Sequence, residues 1–162
     1  MGVNVQGVEE LMWMLKRAGN KAAKGALDQM RKEAEDIRDT ARRMAPVDEG
    51  DLEKAIVTRE VGGGRSESGR FTSKSIVIEV NGDIPAGVDR EGRVRTVGDY
   101  AYLMHEHLTP YGHFRLGPKS QAKQAGQKEI VGGKYLERAL EAKQDGLVDR
   151  VIERVRRELS KD

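Results

Sequence analysis

The residues best able to do chemistry are gathered in one stretch, residues 98–117, which reads GDYAYLMHEHLTPYGHFRLG. It holds all three histidines (His105, His107 and His113), Glu106, three of the four tyrosines and one of the two phenylalanines. His105-Glu106-His107 invites a comparison with zinc proteases, but that chemistry needs two histidines four apart on one helix face, so that both rings reach one ion. Residues two apart on a helix point about 200° away from each other. On a strand His105 and His107 would share a face, and His113 could join them. No carboxylate or cysteine is placed to complete a metal shell, no serine sits in a nucleophile elbow, and the chain contains no cysteine. The expectation is therefore a structural histidine–aromatic cluster, with no catalytic residue, cofactor or metal.

Such a cluster needs a scaffold, and the strongest one lies upstream. Residues 21–44 form an amphipathic pattern, with Leu27, Met30, Ala34, Ile37, Ala41 and Met44 spaced alternately three and four apart. About 24 residues at 1.5 Å each make a rod of about 36 Å with one apolar seam. Pro46 lacks an amide hydrogen and pushes Ala45 out of the helical region, so the rod must stop there. Asp48 is placed to cap a short helix running through Leu52 to Ile56. Gly25 is the one weak point in the rod.

Composition narrows the class. The chain has 162 residues, 37% hydrophobic and 35% charged, with a net charge of +2. That is a lean core for one domain, of a kind often stabilised by neighbours in an assembly. Both charge signs are interleaved, which does not mark a nucleic-acid binder. No apolar run approaches the roughly 18 residues of a membrane span, and the first residues lack the pattern of a secretion signal.

The remaining elements fall in order. Residues 1–20 read as an N-terminal arm and short helix: Val3 and Val5 suit either an edge strand or an arm, and residues 8–18 form a helix ended by Gly19 and Asn20. Trp13 falls outside its apolar stripe, as a half-covered indole or as an anchor for a partner chain. Residues 21–162 read as one α+β domain. Residues 56–61 and 75–80 alternate as strands around a Gly/Ser-rich hairpin arm at 62–74, whose Arg65, Arg70 and Phe71 are candidate interface residues. That arm fails as a phosphate cradle, because a strand rather than a helix follows it. Asn81-Gly82-Asp83 signals a turn, 83–93 a loop, and 94–97 a further strand. Arg90, Arg93 and Arg95 sit together either as a solvated hairpin, the simpler account, or as a contact for DNA backbone or an acidic protein surface. Asp99 is placed to cap a helix carrying Ala101, Met104 and Leu108. Residues 117–133 form a polar connector, without apolar period over 119–130, expected to lie extended across a neighbouring subunit through Lys119 and Lys123. A C-terminal helix over 134–159, bent at Gly146 with Asp145 able to cap its second piece, supplies a second apolar seam. The fold class is α+β: a long N-terminal helix and a C-terminal helix packed on a small, mainly antiparallel sheet with extended loop arms.

The order of short motifs adds a resemblance. Ala45-Pro46-Val47-Asp48-Glu49-Gly50-Asp51-Leu52 ends the rod. Then come Tyr100-Ala101, His105-Glu106 and, after a polar stretch, Gly132-Gly133-Lys134-Tyr135-Leu136-Glu137. Over roughly residues 25–141 this resembles tailed-phage tail-completion, neck and minor capsid (head–tail joining) proteins. Glu49 stands where that family usually has threonine. The resemblance implies a structural, non-enzymatic virion protein at the head–tail junction, made in the host cytoplasm. Its partners would be copies of itself in a ring, expected to be six-fold, adjacent connector and tail proteins, and weakly the packaged DNA. A minor tail or capsid-associated protein of the same family is the alternative. The resemblance marks Pro46, Asp48, Gly50, Leu52, Tyr100, Ala101, His105, Glu106, Lys134, Tyr135 and Leu136 as the assembly motif. Glu106 would accept a hydrogen bond from a backbone amide or from an arginine across a subunit boundary.

Overall fold

The structure, a computed structural model, describes residues 2–3, 8–63, 74–88, 90–106 and 115–160, with backbone only at 2–3, 8–18 and 20–21. Arg65, Arg70, Phe71, His107, His113 and the side chain of Trp13 lie outside what is described. Helix α1 (Val8–Met44) leads into α2 (Asp51–Ala55) and the strands β2 (Ile56–Gly62), β3 (Lys74–Val80), β4 (Pro85–Val88) and β5 (Val94–Thr96). Helices α3 (Val97–Glu106), α4 (Pro118–Ala125), α5 (Tyr135–Lys143) and α6 (Leu147–Leu159) follow, and β1 (Gly2–Val3) precedes α1. The α+β class and the long N-terminal helix agree with the sequence patterns. Gly19 interrupts α1 with φ 80° and ψ 177°, a conformation that side chains other than glycine resist.

Helix α1 is the central rod. On one side lies an antiparallel sheet of order β1-β3-β2, in which Ile56 pairs with Val80 and Gly62 with Lys74. Arg31 forms an ion pair with Glu60, and the Arg42 guanidinium donates to the Ile56 carbonyl at 2.8 and 3.0 Å. Strand β2 therefore runs antiparallel to α1. On the other side α5 and α6 also run antiparallel to the rod. Gly25 faces Glu158, Arg150 forks onto Glu33 at 2.7 and 2.8 Å, and Lys143 meets Asp36 at 2.9 Å. A Cβ at Gly25 would lie 2.5 Å from Glu158 Cγ, so the apparent weak point in the rod lets α6 approach closely.

The buried stripe of the rod is broader than the apolar seam and continuous with it. Ala22, Ala26, Ala34, Ile37, Ala41 and Met44 are buried, and so are Glu33 and Thr40, whereas Leu27 and Met30 are only half-covered. Periodicity finds the apolar stripe, and its margin of alanine, threonine and a paired glutamate is invisible to it.

Three other expectations are corrected. The loop at 83–93 contains β4, which pairs with β5 as a separate two-stranded hairpin. Its base is drawn in where Gly82 and Gly98 pack so closely that a Cβ on either would sit 3.2 Å from the other's Cα. The cap of α2 is Gly50 and not Asp48, and that of α6 is Gly146 and not Asp145; neither helix has a side-chain cap. Asp99 does bind at its helix start, but in reverse: it accepts the Thr96 amide at 2.7 Å and the Thr96 hydroxyl at 3.1 Å, as the third residue of a capping box.

Ile37 is 1% exposed between the two layers, whereas Ile130 is 55% exposed. Ile37→Ala is expected to cost about 2–5 kcal/mol in urea unfolding, and Ile130→Ala less than about 0.5 kcal/mol. Equal costs would contradict a core centred on the rod.

Candidate functional site

Pro46 stops α1 abruptly, so the carbonyls at its end need donors from elsewhere. The segment expected to be an extended connector supplies them. Lys123 Nζ donates to the Arg42 and Ala45 carbonyls, each at 2.7 Å, and also meets Glu53. Gln127 Nε2 donates to the Arg43 carbonyl at 2.8 Å, and the Gly132 amide to the Met44 carbonyl at 2.9 Å. Four successive carbonyls are thus satisfied by one segment. The Ser120 hydroxyl, buried, both accepts the Val47 amide and donates to the Val47 carbonyl, each at 2.9 Å. Lys123 also places a cation at the negative end of the helix dipole. The connector reading is overturned: residues 118–125 are helical, with Pro118 in the first turn after Gly117. Lys123 is not an arm toward a neighbour, because its ammonium is held inside its own chain. Lys119 pairs with Glu49 at 3.1 Å and Asp48 at 3.6 Å.

The motif residues meet at this same end of the rod. Tyr100 hydrogen-bonds to the backbone of Leu52, and burial raises its phenol above the ordinary value. The turn at 46–52 and the Tyr100-Ala101 pair are therefore neighbours, with Leu52 and Ala101 both in the core. At the other end of α3, the Lys134 amide donates to the His105 carbonyl at 2.7 Å. His105 Nδ1 meets Glu106 at 2.9 Å, and Glu106 also binds the Lys134 ammonium. Because an ionised Glu106 can only accept, the neutral ring carries its proton on Nδ1. Lys134 holds a left-handed conformation, φ 54° and ψ 29°, rare outside glycine. Arg138 braces that turn by donating to the Gly133 and Ile130 carbonyls, both at 2.9 Å. Glu106 was expected to bind a backbone amide or an arginine from another subunit; its partner is Lys134 of the same chain.

The site is a polar clip with buried rings and half-exposed charges. His105 and Tyr135 are fully buried and stack edge to face, with ring centroids 4.8 Å apart. Burial lowers the His105 pKa, against the raising effect of Glu106. Lys134 holds Glu106 below the usual carboxylate range, His105 adding to the effect, and Glu106 in turn raises Lys134. His105, Glu106 and Glu137 bring three potential metal-ligand atoms within 4.8 Å of one another. The Lys134 ammonium, however, touches both carboxylates, reaching Glu137 at 3.5 Å, and already supplies the positive charge there. Arg90, Arg93 and Arg95 lie apart from the clip on the exposed β4–β5 hairpin, and Arg93 pairs with Glu91. Sequence reasoning missed Gln127 and gave Ser120 and Gly132 no role at the end of the rod. The available signal was a helix stopped by proline and a later segment rich in hydrogen-bond donors.

Lys123→Met would leave two carbonyls without a donor and is expected to cost about 1–3 kcal/mol in urea unfolding; no loss would show that the clasp is not needed. The pH dependence has a definite sign. Above the ordinary histidine pKa, about 6.5, His105 is neutral in both the folded and the unfolded chain. Below it the unfolded chain takes up a proton that the folded site resists, so stability falls with pH. Between about pH 6.5 and 4.5 the stability curve should slope downward toward acid, and His105→Gln should flatten that part; an unchanged curve would rule out the buried neutral ring.

A protein-family model described as "Bacteriophage HK97-gp10, putative tail-component" matches residues 9–105, more than half of the chain. No curated protein and no solved structure matches it significantly. The match runs from α1 to His105 and so covers the rod, strands β2 to β5 and, of the clip, His105 alone. On that ground the chain belongs to the HK97-gp10-like family of bacteriophage tail components.

Proposed function

We propose that this phage tail component is a ring-forming subunit of the neck or tail-completion assembly, joining the DNA-filled head to the tail. The observation that carries the reading is the family match over residues 9–105. The geometry supports it in two ways. The His105–Glu106–Lys134 clip locks α3 to the start of α5 through contacts within the chain. The β4–β5 hairpin is joined to the body at its base and carries exposed side chains beyond it, as a subunit that contacts copies of itself would. In this reading residues 21–162 act as one rigid domain, residues 1–20 and the 62–74 arm engage neighbours, and the assembly motif fixes the subunit's shape. Its place is the virion's head–tail junction.

Cryo-electron microscopy of particles with the chain tagged at its C-terminus tests the assignment. A ring of subunits between head and tail is the expected result. Label confined to the distal tail, or absent from mature particles, would overturn it.

A further inference from the structure

We propose that the β4–β5 hairpin of one copy docks on the α5–α6 corner of the next, in a head-to-tail contact that repeats around the ring. The inference rests on the ring reading above and names the surfaces that would build it.

The hairpin is unusual among the described surfaces. Val88 and Val94 are direct cross-strand partners and so share a face. They are 65% and 66% exposed, the two most exposed large hydrophobic residues described. Arg90 and Arg95 are exposed beside them and form no ion pair among the described residues, although the charge of Arg95 is felt by Asp99. The base of the hairpin is fixed, with Val97 and Gly98 amides bonded to the Ile84 and Gly82 carbonyls at 2.8 and 3.0 Å. An anchored hairpin with a bare valine pair and two exposed cations suits a protein surface better than a phosphate backbone, which would gain nothing from the valines.

The α5–α6 corner has the complementary character. Val148 is 42% exposed at the start of α6, flanked by Asp145 and Asp149. Both carboxylates are exposed and neither forms an ion pair among the described residues; Asp149 lies near Arg150, whose guanidinium forks onto Glu33 instead. The nearby cations are engaged inward: Lys143 with Asp36 and Arg150 with Glu33. Arg150 also donates to the Asp145 and Lys143 carbonyls at 2.8 and 3.2 Å, so the corner is held rigid before any partner arrives. One surface thus offers exposed valines beside two exposed arginines, the other an exposed valine beside two exposed aspartates. Two different patches that meet once per pair of subunits, without a reciprocal second contact, make a heterologous interface that closes into a ring or extends as a stack.

Because the chain has no cysteine, disulfide trapping reads this contact without background. Val94→Cys with Val148→Cys, oxidised in the full chain and in assembled tails, should give a ladder of covalent oligomers. Val94→Cys with Arg156→Cys, farther along α6, should give at least tenfold less. Arg95→Glu should weaken self-association in sedimentation, and adding Asp149→Arg should restore it. Self-association or tail rings without the ladder and without charge rescue would overturn this docking while leaving the ring reading intact. No self-association in solution or in tails would overturn both. If Arg95→Glu abolishes salt-sensitive retention on DNA but leaves self-association unchanged, the hairpin is a DNA contact and the proposal fails.

Discussion

The structure depends on how the end of one helix is satisfied. A 37-residue helical element that stops at a proline presents a row of carbonyls and the negative end of its dipole to whatever surrounds it. Here the surroundings are protein, and buried unpaired carbonyls are costly. Lys123, Gln127 and Gly132 remove the problem in one pass, and everything attached to them is thereby fixed in place. Helix α4 must lie across the rod's end, the Gly132-Gly133-Lys134 turn must follow it, and α5 must start where Tyr135 can enter the core. The hydrophobic layers on either side of α1 stabilise the fold, while this polar end determines its alignment.

The same turn joins two helix ends. Gly132 serves α1 through the Met44 carbonyl, and two residues later Lys134 serves α3 through the His105 carbonyl. Lys134 then uses its side chain on Glu106, which in turn orients the His105 ring. One left-handed residue, braced by Arg138, therefore carries contacts to backbone and side chain at once. This explains why short motifs far apart in the chain belong together: the turn at 46–52, the Tyr100-Ala101 pair, the His105-Glu106 pair and the Lys134-Tyr135 pair meet at one end of the rod.

What could be read in advance divides along physical lines. The rod, its break at Gly19, the paired strands β2 and β3 and the C-terminal seam were legible, because each writes an apolar period or a turn residue into the chain. Helix α4 was not, because its inward contacts are hydrogen bonds from Ser120 and Lys123, and polar residues that face inward look like polar residues that face water. The caps at Asp48 and Asp145 were misplaced for a related reason: each aspartate is followed within two residues by a glycine that adopts the left-handed conformation and takes the position itself. Of the candidate site, His105 and Glu106 could be named from sequence, but their pairing with Lys134 spans 28 positions and follows only from the folded turn.

The clasp also has a bearing on biosynthesis. The Met44 carbonyl receives its donor from residue 132, so a ribosome must have made most of the protein before the central rod has a finished end. Loop closure over so long an interval is entropically demanding and slows folding. The N-terminal portion would then wait, with its strands paired at best in outline, and the last helices would lock it shut nearly at once. A closure that waits for residue 132 leaves the end of the rod unfinished until the segment that clasps it has been made.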